Sequence, residues 1–232
     1  MKRLDAVLTA AGICSRRQAA EWIRQGCVSV DGQIVRSAAL HIPSTARVAV
    51  NGQEVATEEF VYLMMNKPLG AVCATSGAEK CVVDWVPKIW SRRGIFPVGR
   101  LDKDTSGLLI LTNDGVFGHR LTSPHAHVPK VYLAQLQREL DDATICAFEK
   151  GMTLRDGLHT LPAKVEAVAD RLARVTVYEG KYHQVRRMFA ACGNFVCALH
   201  REQIGDLVLD SALSAGQVRE LTAEEKNLLN KK

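Results

Sequence analysis

No apolar run in this sequence approaches the roughly 20 residues that cross a bilayer. The N-terminus is polar from its second residue, which argues against a secretory leader. No stretch is of low complexity. The seven cysteines, at 14, 27, 73, 81, 146, 192 and 197, include no C-x-x-C pair and no regular spacing. Such a set reads as reduced, mostly buried thiols rather than a disulfide framework. Together these absences point to a soluble cytoplasmic protein without a membrane partner.

What is present is ordinary globular material. The 232 residues are 47% hydrophobic and 24% charged, enough for one large domain or a large one with a small companion. The net charge of +5 is unevenly placed. Residues 1–47 hold Lys2, Arg3, Arg16, Arg17, Arg24, Arg36 and Arg47 against only Asp5, Glu21 and Asp31. Most of the positive excess therefore sits in the first fifth of the chain, where a polyanion would meet it.

That first stretch organises itself locally. Leu4, Val7, Leu8 and Ala11 follow the i, i+3, i+4, i+7 stripe of a short helix, and Gly12 is placed to end it. Ser15 with Gln18 three residues on is a capping box, opening a second helix that Gly26 closes. Ala19, Trp22 and Ile23 supply its inner face, leaving Arg16, Arg17 and Arg24 outward. "VSVDGQIV" (28–35) and "VAVNGQEV" (48–55) alternate around Asp-Gly and Asn-Gly, a strong hairpin signal. These pieces predict a small module over 1–57, with polar 56–59 as linker and a larger domain over 60–232. In the larger part, strands are expected at 60–68, 107–115, 130–140 and 171–180, and helices at 142–152, 183–193 and the C-terminus. There is no steady strand–helix–strand rhythm, so the fold class expected is α+β with a mixed or mainly antiparallel sheet.

The most informative stretch is "GRLDKDTSGLLILTNDG" (99–115). Asp102, Asp104, Ser106 and Gly107 imitate the start of a calcium loop. That loop needs a bidentate Glu at its twelfth position, where this chain has Asn113, and helices where this chain has strand-like "LLIL". Metal ligation is therefore not expected. His125 and His127 also lack partners at ligand spacing. A structural turn would account for Asp, Ser and Gly, but not for Arg100 and Asp102 standing just before a buried strand.

"LDAVLTAAGICSRRQAAEWIRQGCVSVDGQIV" resembles the alpha-L RNA-binding module, over about residues 3–50. "GRLDKDTSGLLILTNDG" is similar to the catalytic signature of the ribosomal RNA pseudouridine synthases, in the small-subunit branch. Three further stretches agree in order: "MNKPLG" (65–70), "PKVYLAQL" (129–136) and "EGKYHQVRRMFAACGN" (179–194). The resemblance spans most of the chain. It implies an isomerase that uses no cofactor and turns a ribosomal RNA uridine into its C5-linked isomer. Naked RNA, an assembly intermediate and a finished subunit all stay open as the substrate, and the enzyme is expected to be a monomer.

By the same resemblance Asp102 is the nucleophile, Tyr132 stacks on the target base, and Arg186 is the cation beside Asp102. Attack on the sugar, attack on the base and removal of a sugar proton all remain open, and each needs an ionised carboxylate. A cation close by favours that form. Helical geometry puts Arg186 beside the apolar stripe of Val185, Met188, Phe189 and Cys192, with Arg187 nearly opposite it. Tyr132 is expected opposite Val131 and Leu133, facing a cleft while they face the core. RNA contacts are expected from Arg3, Arg16, Arg17, Arg24, Lys67, Arg100, Lys130 and Arg187; Lys67, at a strand's rim beside Pro68, is equally open to a structural role. His183 lies within reach of a phosphate. The rival readings are a large-subunit synthase, a non-catalytic RNA-binding or assembly factor, and a helix-turn-helix DNA regulator.

Overall fold

The computed structural model describes residues 2–43, 46–55 and 60–229; the stretch 56–59 read as a linker lies outside them. The chain falls into two compact units. One comprises Met1–Val61, Val86–Phe96 and Thr112–Asp114, the other Tyr62–Trp85, Pro97–Leu111 and Gly115–Lys232.

In the first unit, β1 (Lys2–Arg3) leads into α1 (Leu4–Ala10) and α2 (Arg16–Gln25). Ser15 and Gln18 form the expected capping box, and Gly26 ends α2 in the left-handed conformation. Strands β2 (Val28–Val30), β3 (Gln33–Ile34), β4 (His41–Ile42), β5 (Val48–Val50) and β6 (Gln53–Val55) follow. The sheet order is β3-β2-β5-β6, with β1 paired separately to β4. Both hairpin turns have positive φ at two successive residues, Asp31–Gly32 and Asn51–Gly52. That is the conformation Asp-Gly and Asn-Gly adopt readily, and it matches the strand twist. Leu4, Leu8, Ala19, Ile23, Val28 and Val48 are fully buried together. The arginines of α2 are exposed, as its periodicity requires. The short helix α3 (Lys88–Ser91) also belongs to this unit.

The second unit contains β7 (Tyr62–Lys67), β8 (Phe96–Val98), β9 (Thr105–Thr112), α4 (Gly115–Thr122), β10 (Lys130–Leu136) and α5 (Asp142–Lys150). It continues through β11 (Lys164–Ala169), β12 (Leu172–Val177), α6 (Gln184–Ala191), β13 (Val196–Ile204), β14 (Leu207–Val208), β15 (Val218–Glu220) and α7 (Ala223–Leu228). The sheet runs β11-β12-β10-β13-β9-β7-β15, with β14 on β13 and β8 on β9. β13 runs parallel to β9 but antiparallel to β10 and β14. The α+β class with a mixed, mainly antiparallel sheet is as expected. Two cores form. One packs β10, β11 and β12 against α5 and α6 around Phe148 and Phe189, whose rings lie 4.8 Å apart. The other packs β7, β9 and β14 against α4 around Leu108, Ile110 and Phe117. The parallel seam between β9 and β13 lies between them. Among the described residues no helix is long and apolar enough to cross a membrane.

Candidate active site

Asp102 stands in the loop between β8 and β9, where its carbonyl accepts the Thr105 N–H at 3.1 Å and closes a turn. Lys67, the last residue of β7, holds that turn from beneath. Its Nζ donates to the carbonyls of Pro68 (3.1 Å), Asp102 (3.0 Å) and Thr105 (2.8 Å). The expectation of Lys67 at a rim contacting RNA is corrected in favour of its structural reading: the side chain is fully buried. An ammonium survives there because three carbonyls take its three N–H groups. Burial lowers its pKa, with Cys73 and Asp102 opposing. Two more bonds fix the loop, from Gly70 N–H to the Lys103 carbonyl (2.8 Å) and from Leu101 N–H to Cys73 Sγ (3.3 Å).

Gly107 explains how β9 meets β13. Its φ is +107°, and a Cβ there would lie 2.3 Å from the Arg201 carbonyl oxygen. Only glycine allows this approach. The resulting register sets Ser106 opposite His200, with Ser106 Oγ 2.9 Å from His200 Nδ1. Burial pushes the His200 pKa down, favouring the neutral ring.

The Asp102 carboxylate is 29% exposed, and its Oδ1 lies 3.3 Å from His183 Nε2. His183 immediately precedes α6 with φ +47°, a conformation that turns it out of the helix. The buried Gln184 side chain secures this start, accepting the Lys181 N–H at 3.1 Å and donating to Glu179 at 2.7 Å. The Tyr182 ring stacks on His183 at 3.9 Å. Here a second expectation is corrected. Arg186 flanks the apolar stripe as its spacing requires, but its guanidinium lies on Asp104 (3.0 Å), not Asp102, and also donates to the Val196 carbonyl at 3.0 Å. His183, three residues earlier, occupies the place beside Asp102. Arg187 pairs with Asp156 and donates to the Tyr182 carbonyl.

Two cavities meet at Asp102. The larger, of about 920 Å³, has apolar walls including Leu69, Val72 and Leu133, with His200 and Ser106 also lining it. The smaller, of about 320 Å³, is lined by Tyr132, Arg100 and Gln184. Asp102, Tyr182 and His183 line both. Tyr132 is thus in the same cavity as Asp102, but the assignment of strand faces is corrected. Its face is the one that packs beneath α5 and α6, with Ala134 and Leu136 buried alongside, whereas Val131 and Leu133 are only half-buried.

The remaining expected residues divide by exposure. Arg3 is exposed and paired with Asp5 at 2.8 Å. Arg16, Arg17, Arg24 and Arg100 are exposed, while Lys130 is half-buried. The residues that sequence reasoning passed over are Tyr182, His200 and Arg201. A stronger reading of "KYHQ" before the double Arg would have reached the first.

A basic two-helix module, a mixed sheet and a carboxylate presented beside a tyrosine-lined cavity define a class that the comparisons identify. The RNA pseudouridylate synthase family model matches residues 61–191, and the S4 domain model matches residues 2–48. The chain belongs to the RNA pseudouridylate synthase family, and is therefore an isomerase, with an N-terminal S4 domain. It is 43% identical to an RNA pseudouridine synthase of Bacillus subtilis, described as uncharacterized, over 98% of each chain. It is 42% identical to ribosomal small subunit pseudouridine synthase A of Escherichia coli, over 96% of this chain and 97% of that one. A crystal structure of a pseudouridylate synthase matches with a TM-score of 0.71 and 38% identity, covering 99% of this chain and 100% of that one.

Proposed function

We propose that this enzyme converts a uridine of small-subunit ribosomal RNA to pseudouridine, with Asp102 as the reacting group. The observation that carries this reading is the Asp102 carboxylate at the meeting of two cavities, one of them walled by Tyr132. At about 320 Å³ the smaller cavity falls in the usual range of about 300–1,000 Å³ for small-ligand sites.

In the reaction the N1–C1′ bond breaks and a C5–C1′ bond forms. The C5 proton leaves and N1 gains one, so substrate and product are isomers. A base inside a duplex must first be extruded, at a cost of a few kcal/mol. Stacking on Tyr132 returns about 1–3 kcal/mol. Asp102 then acts from its fixed turn, whether on the sugar carbon, on the base or on a sugar proton. His183 holds the carboxylate in place until substrate arrives, and Arg186, through Asp104, fixes the far side of the turn. This reading puts the protein in the cytoplasm, acting as a monomer on ribosomal RNA or an assembling subunit. The similarity to the small-subunit enzyme of Escherichia coli supports that choice of RNA.

The test is tritium release from small-subunit RNA carrying 5-tritiated uridine. Wild-type protein releases tritium and Asp102→Asn does not, while its stability stays within about 0.5 kcal/mol of wild type. Release by the Asn variant, or from large-subunit RNA alone, would overturn the reading.

A further inference from the structure

A third cavity, of about 300 Å³, lies beside the reaction site and shares Arg100, Tyr132 and Glu179 with the smaller cavity. The chemistry above does not use it. Arg201 on β13 lines it and is only 4% exposed. The guanidinium Nε donates to the Leu108 carbonyl at 2.8 Å, but Nη2 has no hydrogen-bond partner among the described residues. Lys130 at the start of β10 lines the same cavity, and burial and then Arg201 lower its pKa. The exposed Arg100 stands at the margin.

The carboxylate in this lining is already paired with a fourth cation, Lys181. Glu179 Oε1 already accepts from Leu161 N–H at 2.9 Å and Gln184 Nε2 at 2.7 Å, and Oε2 pairs with Lys181 at 3.1 Å. Three cations therefore converge on a space with no free counter-charge among its described residues. A buried donor without an acceptor is destabilising, and more so when the group is charged. Water would satisfy one N–H but leave the charge. A tetrahedral anion with several oxygens answers both, and a guanidinium fork suits it.

We propose that this cavity is a phosphate subsite: Arg201, Lys130 and Arg100 bind a phosphodiester of the RNA strand next to the nucleotide presented to Asp102. The proposal rests on the function proposed above, and it assigns Arg201 and Lys130 to holding the strand while Tyr132 holds the base. Backbone contacts of this kind set register rather than read sequence.

Arg201 has its own N–H, so the site can be tested without turnover. Arginine-labelled full-length protein is titrated with three probes while the Arg201 Nε–H resonance is followed. The probes are inorganic phosphate, a short uridine-containing oligoribonucleotide, and the same oligonucleotide with uncharged methylphosphonate linkages. Phosphate and the natural oligonucleotide should shift the resonance saturably, the second at tenfold or more lower concentration, and the methylphosphonate should not. Lys130→Met, which keeps the aliphatic stem and removes the charge, should weaken both by at least tenfold at unchanged Tm.

No saturable shift, an equal response to the methylphosphonate, or unchanged binding by Lys130→Met would overturn the proposal. A response to phosphate but not to the oligonucleotide would overturn the assignment to RNA. Tritium release is measured separately. A protein that shows these shifts without releasing tritium would refute the proposed function and leave the subsite standing.

Discussion

Lys67 is a charged residue used as a structural pin. A strand-ending "NKP" looks like a rim, yet the ammonium is sealed inside, bonded to three carbonyls that include Asp102 and Thr105. Methionine fills similar space but leaves those acceptors without a donor, at about 1–3 kcal/mol for each that stays dry. Lys67→Met should lose about 3 kcal/mol in urea unfolding and lower kcat at least tenfold with a smaller change in KM, because the turn carrying the carboxylate loosens. Wild-type kcat in that variant would show that the turn holds itself. Gly107 makes the complementary point. The residue contributes nothing chemically, but it alone permits the backbone of Arg201 to pass where it does.

Among elements, β15 and α7 are joined by a clasp outside the site. Arg219 of β15 donates from Nε to Asp210 at 2.7 Å and forks onto both oxygens of Glu225 in α7, at 2.8 and 2.7 Å. Hydrogen bonding to Arg219 holds the Glu225 carboxyl below its usual range. The Asp210 carboxyl is held down first by the Ala212 N–H and then by Arg219. Carboxyls depressed in the folded state add stability above their unfolded pKa values, about 3.9 and 4.3. That stability is lost as pH falls through the lower folded values. The Tm gap between wild type and Arg219→Met should therefore be full at pH 6 and shrink steadily below pH 4. A gap constant across that range would mean that the clasp does not titrate.

How much of this could be read in advance differs by element. The Asp-Gly and Asn-Gly hairpins and the capped α2 are local, and their turn chemistry states them outright. β13 went unread because Arg201 occupies an inward position between Leu199 and Ile204, breaking the apolar alternation that marks a strand. β10 was recognised as a strand, but Val131, Tyr132, Leu133 and Ala134 are apolar on both faces. Which face is core depends on α5 and α6, which follow later in the chain. Asp102 was legible from its motif. Its neighbour was not, since the His183 position depends on a left-handed residue at the start of α6.

Across the whole molecule, charge is divided by task. Arg16 and Arg17 are exposed on α2 of the S4 unit, while Lys130, Arg186 and Arg187 of the catalytic unit are half-buried and Arg201 is buried. Replacing Arg16 and Arg17 with Ala should weaken RNA binding without altering kcat. It should also flatten the plot of log K against log salt by about 0.7 for each phosphate no longer neutralised. An unchanged slope would remove α2 from the interface.

The parallel seam of β9 and β13 has a consequence for the birth of the protein. A ribosome releases residues 99–115 long before 196–204, and long-range pairing of this kind forms late. While its C-terminal third is still being translated, a newborn chain has the Asp102 turn without the strand that completes its surroundings. Premature termination before β13 should thus yield RNA-binding fragments with no power to isomerise.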